Sequence, residues 1–233
     1  MKLITTLPLL ALPLLFACET TTHDHVYHDH FGTDPKVSDD VYVYVPQSDR
    51  DDVNDARTES MKMQDSVAQA QHEVDVEAQQ LDVARSELNN AEDGVDTARR
   101  EYELSRETAQ KDHDDRVDEA QKRLDAARQR WHAAAANVAW HEAHLDQLKA
   151  DVTLAKLRVD LANAKVELAK AKAVSKLDRP EIYGLPLNDF EASVQDHETR
   201  IKMAEVDADA WKKKVELRQK ALEDRKDKVK DAG

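Results

Sequence analysis

The chain has 233 residues, of which 35% are charged and 5% aromatic, with a formal net charge of −14, 4 Gly, 6 Pro and 1 Cys. So few aromatics and turn formers argue against one or two ordinary globular domains. The abundance of Ala, Glu, Asp, Lys, Arg, Leu and Val is instead the profile of long helices and coiled coils, and the acidic balance speaks against a nucleic-acid partner.

Residues 1–17, MKLITTLPLLALPLLFA, carry Lys2 and then an uncharged apolar run from Leu3. The run is shorter than the roughly 20 apolar residues that span a bilayer as a helix, and it fits an export signal. Pro8 and Pro13 interrupt it, which argues against a buried core helix. It leads into Leu15-Phe16-Ala17-Cys18, which resembles the lipobox of bacterial lipoprotein precursors, with Phe16 standing where a smaller residue is usual. The resemblance implies removal of residues 1–17, a diacylglyceryl thioether on Cys18 and acylation of the new amine. Glu19 follows the cysteine, which within that class points to the outer membrane, facing the periplasm. Two or more acyl chains anchor stably where one is reversible. Lipidation also accounts for a single cysteine in an exported chain.

Residues 18–52 read as an acidic tether, rich in Asp, Thr, Ser and Pro and without helical period. It contains His23-Asp24-His25-Val26-Tyr27-His28-Asp29-His30. Imidazole and carboxylate together suit a divalent transition metal, so His23, His25, His28 and His30 are candidate ligands for a weakly bound ion. Their spacing matches no closed zinc pattern, and no other cofactor is indicated. Val41-Tyr42-Val43-Tyr44-Val45-Pro46 has strand chemistry, but an isolated strand is unstable. This 41–46 segment is expected to serve as an apolar cuff on the end of a helical bundle.

From Val53 onward apolar and small residues recur at alternating spacings of three and four. One register includes Val67, Val74, Leu81, Leu88 and Val95, with Ala56, Met63, Ala70, Ala84, Ala91 and Ala98 as companions and Glu77 as the charged exception. A second includes Trp131, Val138, Leu145, Val152 and Val159, with Ala120, Ala127, Ala134, His141, Leu148, Ala155 and Ala162 as companions. These are sustained coiled-coil heptads. The frame slips at 111–116, the most polar stretch of the region. Residues 53–177 therefore form either one continuous helix of about 125 residues or a hairpin that turns at 111–116. A reversal centred between Asp114 and Asp115 sets Ala98 against Trp131, Leu81 against Leu148 and Val67 against Ala162, large residues largely meeting small ones. A turn at 178–189 then leads to a third helix over 190–231, capped by Asn188 or Asp189 and carrying Ile201 and Trp211 on its apolar face. The fold class is all-α: a long antiparallel hairpin plus a third helix, making a three-helix antiparallel bundle. Alanine-rich seams bury little area per residue, so self-association, or pairing with another coiled-coil or envelope protein, is expected.

No phosphate-binding glycine loop, nucleophile elbow or triad spacing is present, and long rods offer no deep pocket, so the chain does not read as an enzyme. His141 and His144, near Trp131 and Trp140, are better placed as seam residues than as metal ligands. Residues 212–230 hold 9 basic and 4 acidic side chains, a segment suited to anionic envelope polymers or to i,i+4 pairing on a solvated helix face. The sequence thus points to a lipid-anchored periplasmic coiled-coil lipoprotein acting as a structural spacer or interaction scaffold. The rivals are a metal-binding envelope lipoprotein using the His-Asp-His pair and an adaptor hairpin docking on an envelope channel.

Overall fold

The computed structural model describes residues 34–108, 114–177 and 185–232. Within them lie a single turn of helix, α1 (Asp39–Tyr42), a 3-10 turn (Gln47–Asp49), and three long helices: α2 (Asp51–Thr108), α3 (Asp114–Val174) and α4 (Leu187–Asp231). Among the described residues there is no strand. At 1.5 Å per residue the helices run about 87, 92 and 68 Å.

The hairpin, not the continuous rod, is formed: α2 and α3 pack antiparallel along their lengths. Every heptad position read for α2 is buried or half-buried, from Val53 to Ser105, and almost every other position on that helix is exposed. The column farthest from the seam, from Thr58 and Asp65 to Arg100 and Glu107, is wholly polar and exposed.

The register differs from the one expected. Ser60 meets Asn163, Glu77 meets His141 and His144, and Arg85 reaches Glu142. The partners expected from a centre between Asp114 and Asp115 were Ala169, Val152 and His144. The pairing is displaced by about one heptad, because α3 already begins at Asp114 and the interval between helices is 109–113. Residues 114–116, expected in the turn, belong to α3; residues 109–113 lie outside the described residues.

α3 is the middle helix. It packs along both α2 and α4, while α2 and α4 scarcely meet. The cause is a second heptad series on α3 that sequence reading passed over: Ala133, Ala136, Trp140, Ala143, Ala150, Leu154, Leu157, Leu161, Ala164, Leu168 and Ala171, all buried or half-buried. At roughly 100° per residue this series lies about 150° around α3 from the first. A closed three-helix bundle needs two seams close together on each helix. With opposed seams on α3 and one each on its neighbours, the helices form a flat three-helix array in place of the expected bundle.

Charge sets the α3/α4 register. Lys172, Lys165 and Arg158 of α3 pair with Glu191, Glu198 and Glu205 of α4, one heptad at a time in opposite directions. One heptad further the register sets Asp151 of α3 opposite Lys212 of α4, with the signs exchanged and no ion pair formed. In this register α4 ends near residue 132 of α3, so about 27 Å of the α2/α3 hairpin extends beyond it as two helices alone.

The expected 178–189 turn is shifted toward the N-terminus by three residues at each end. α3 ends at Val174, followed by a turn through Leu177, and α4 opens at Leu187 instead of 190. Its N-cap is Pro186, without a side-chain cap hydrogen bond; Asn188 and Asp189 lie inside the first turn, where Asp189 favours the helix dipole.

Candidate functional site

The lipobox residues Leu15, Phe16 and Ala17, the cysteine Cys18 and the histidines His23, His25, His28 and His30 lie outside the described residues. Of the seam residues, Leu81, Val152 and Ile201 are buried; Val67, Val74, Leu88, Val95, Trp131, Val138, Leu145, Val159 and Trp211 are half-buried. Two local arrangements concentrate the remaining chemistry.

The first is the end of the array where α2 begins, α3 ends and α4 begins. Residues 34–50 cross it as a strap. Asp34 accepts a hydrogen bond from Ser193 Oγ at 2.9 Å and lies 3.2 Å from His197 Nε2 through both oxygens, on α4. The Val37 N–H donates to Glu167 on α3 at 2.9 Å. Tyr42 and Val45 then enter a core with Val53 of α2, Ala171 and Val174 of α3 and Phe190 of α4, against which Leu177, Leu185 and Leu187 pack. The strap therefore ties together the two outer helices, which scarcely meet each other directly.

Residues 41–45, with their strand-like composition, form the end of α1 and a turn instead. The alternation fails because Tyr42 and Val45 must face the same core while Val43 and Tyr44 face solvent. Arg50 holds the turn closed, donating from Nε to Val45 O at 2.8 Å and from Nη2 to Val43 O at 3.0 Å. Arg50, Arg57 and Lys170 surround the Tyr42 ring at 5.5, 5.4 and 5.9 Å, within cation–π range. Lys170 also bridges Glu167 at 2.7 Å and Asp39 at 3.7 Å.

The second arrangement lies within the α2/α3 seam. Glu77, the charged exception in the α2 heptads, has a side chain 5% exposed. A carboxylate so placed needs compensation, and it comes from the polar exception of the α3 heptads. His141 Nδ1 lies 2.6 Å from Glu77 Oε1, so ring nitrogen and carboxylate satisfy each other within the seam. His144 Nδ1 stands 2.9 Å from Oε2 without hydrogen-bond alignment. Trp140 stacks on the His144 ring at 5.2 Å and meets His141 edge-on at 4.6 Å. Sequence reading placed His141 in the seam but missed that Glu77 is its partner. The signal was available, since two polar breaks in facing heptads satisfy each other.

Among the described residues, no group of three His, Cys, Asp or Glu side chains is arranged to hold a metal ion, and no helix is long and apolar enough to cross a membrane. A groove of about 340 Å³ lies between α2 and α3, floored by Ala56, Met63, Leu161 and Ala162. Its basic rim residues Arg158 and Lys165 are engaged by Glu205 and Glu198. Comparison with protein-family models, with curated proteins and with solved structures gave no match.

Proposed function

We propose that the protein is a lipid-anchored spacer of the bacterial cell envelope, held by Cys18 at the outer membrane and presenting a helical hairpin into the periplasm. The observation that carries this reading is the strap. It brings residue 34 to the end of the array opposite the reversal between α2 and α3. An anchor at one end and a free two-helix tip at the other is the geometry of a spacer about 90 Å long. The open tip, extending past the end of α4, also supports the narrower reading of an adaptor that docks on an envelope channel.

Metabolic labelling with a palmitate analogue tests the anchor. Label is expected in the wild-type chain, with fractionation to the outer membrane, and neither in Cys18→Ser. A wild-type chain that takes no label and fractionates as a free soluble protein overturns the reading. A photo-crosslinker at the exposed Leu104 near the tip then separates the two roles, because only an adaptor captures an outer-membrane channel there.

A further inference from the structure

The cations of α4 fall into two populations. In its first half the helix contributes acidic groups to α3, and these are engaged: Glu191, Glu198 and Glu205 each hold a lysine or arginine. In its last third the sign reverses, with 9 basic against 4 acidic residues over 212–230 in a chain whose net charge is −14. Lys212, Lys213, Arg218, Lys220, Lys226 and Lys228 are all exposed, and none forms an ion pair among the described residues. Glu216 stands four residues from both Lys212 and Lys220, and Asp224 four from Lys220 and Lys228, yet these i,i+4 pairs are not made. Among the described residues Lys230 is ion-paired, with Asp227 at 2.8 Å, and Lys214 lies 4.1 Å over the Trp211 ring.

We infer that the last third of α4 is a docking segment for an anionic polymer, an envelope glycan bearing carboxylate or phosphate groups. The class of polymer rests on the export reading above; the affinity for a polyanion rests on charge alone. Two observations favour a polymer over a lipid surface. A helix that binds a bilayer interface inserts an apolar face, and the apolar face of α4, with Val215 and Leu222 buried, is already spent on α3. The cations also lie on several sides of the helix: at roughly 100° per residue, Lys213 and Lys220 point away from α3, while Lys212 with Lys226 and Lys228 flank the seam on opposite sides. A flat surface touches one side at a time, whereas a flexible chain reaches all of them over about 27 Å.

The test uses the full chain carrying Cys18→Ser, so that its outcome is independent of lipid processing. Binding to polygalacturonate is compared with binding to vesicles containing anionic phosphatidylglycerol, at low and at physiological salt. The expected result is glycan binding that weakens steeply with salt and falls at least tenfold in the quadruple variant Lys212→Gln, Lys213→Gln, Lys220→Gln, Lys226→Gln with helicity unchanged. A control removing the same charge elsewhere, Lys62→Gln, Lys122→Gln, Lys149→Gln, Lys156→Gln, retains binding. Absence of glycan binding, equal loss in the two variants, or tighter binding to vesicles than to glycan overturns the inference.

Discussion

Glu77 shows how one buried charge shapes a seam built mostly of alanine and valine. Its carboxylate gains little net stability from His141, because two desolvated groups must be brought together to form the pair. Removing His141 is different, since Glu77 then stays buried with only His144, which stands 2.9 Å from Oε2 out of hydrogen-bond alignment. His141→Ala is therefore expected to destabilise the protein by about 3 kcal/mol in urea denaturation at neutral pH, whereas the double replacement Glu77→Leu, His141→Leu costs less than about 1 kcal/mol or stabilises. A single and a double variant of equal stability would show that the pair is not electrostatically buried. Gly94 is a contrasting case. It lies in the interior of α2 with open space around it, so nothing in the packing requires glycine, and Gly94→Ala is expected to stabilise by about 0.8 kcal/mol through helix propensity alone.

At the scale of the helices, polar residues in the seams specify which heptad meets which. Val and Ala repeats tolerate a slip of seven residues with little loss of apolar contact. Ser60 donating to Asn163 Oδ1 at 2.7 Å and Glu77 facing His141 have no equivalent partners after such a slip. In a Cys18→Ser background, Ser60→Cys with Asn163→Cys is accordingly expected to form a disulfide within one monomer, while Ser60→Cys with Ala169→Cys does not, because six residues along a helix add about 9 Å. Intramolecular oxidation of the second pair would restore the register centred between Asp114 and Asp115. These contacts also mark the boundary of what the sequence discloses. Heptad positions follow directly from the spacing of Val67, Val74, Leu81 and their counterparts, because periodicity is a local property, whereas the same spacing left one continuous helix and a hairpin both open. Register is a property of two helices at once, and matching large to small residues was too permissive to fix it where matching Glu77 to His141 was not. The flat array was hidden for a related reason: Leu154, Leu157, Leu161 and Leu168 sit between the positions of a pattern that was already satisfied. The strap could not be read from periodicity at all, since it depends on Asp34 reaching α4, Val37 reaching α3, and Tyr42 and Val45 entering the core shared by all three helices.

The whole molecule is unevenly secured along its length. At the strapped end α3 is covered on both sides and Val45, Val53 and Val174 are almost wholly enclosed. Beyond the end of α4, α3 has one neighbour, and its residues at 115, 118, 119, 122 and 125 are exposed. Helices of this length derive most of their stability from packing of an apolar face and not from propensity, so local opening should become easier toward the tip. Native-state hydrogen exchange is expected to show amides at 95–108 and 114–131 exchanging through lower-energy openings than those at 53–75 and 152–174. Truncating the chain after residue 210 extends the experiment. It uncovers the second seam of α3 at Ala136, Trp140 and Ala143, and amides at 132–151 should then exchange like the tip while the strapped end keeps its protection. Uniform protection along the hairpin, or a truncation that loosens both ends equally, would mean that the array unfolds as one unit and that the strap does not set where the molecule is rigid.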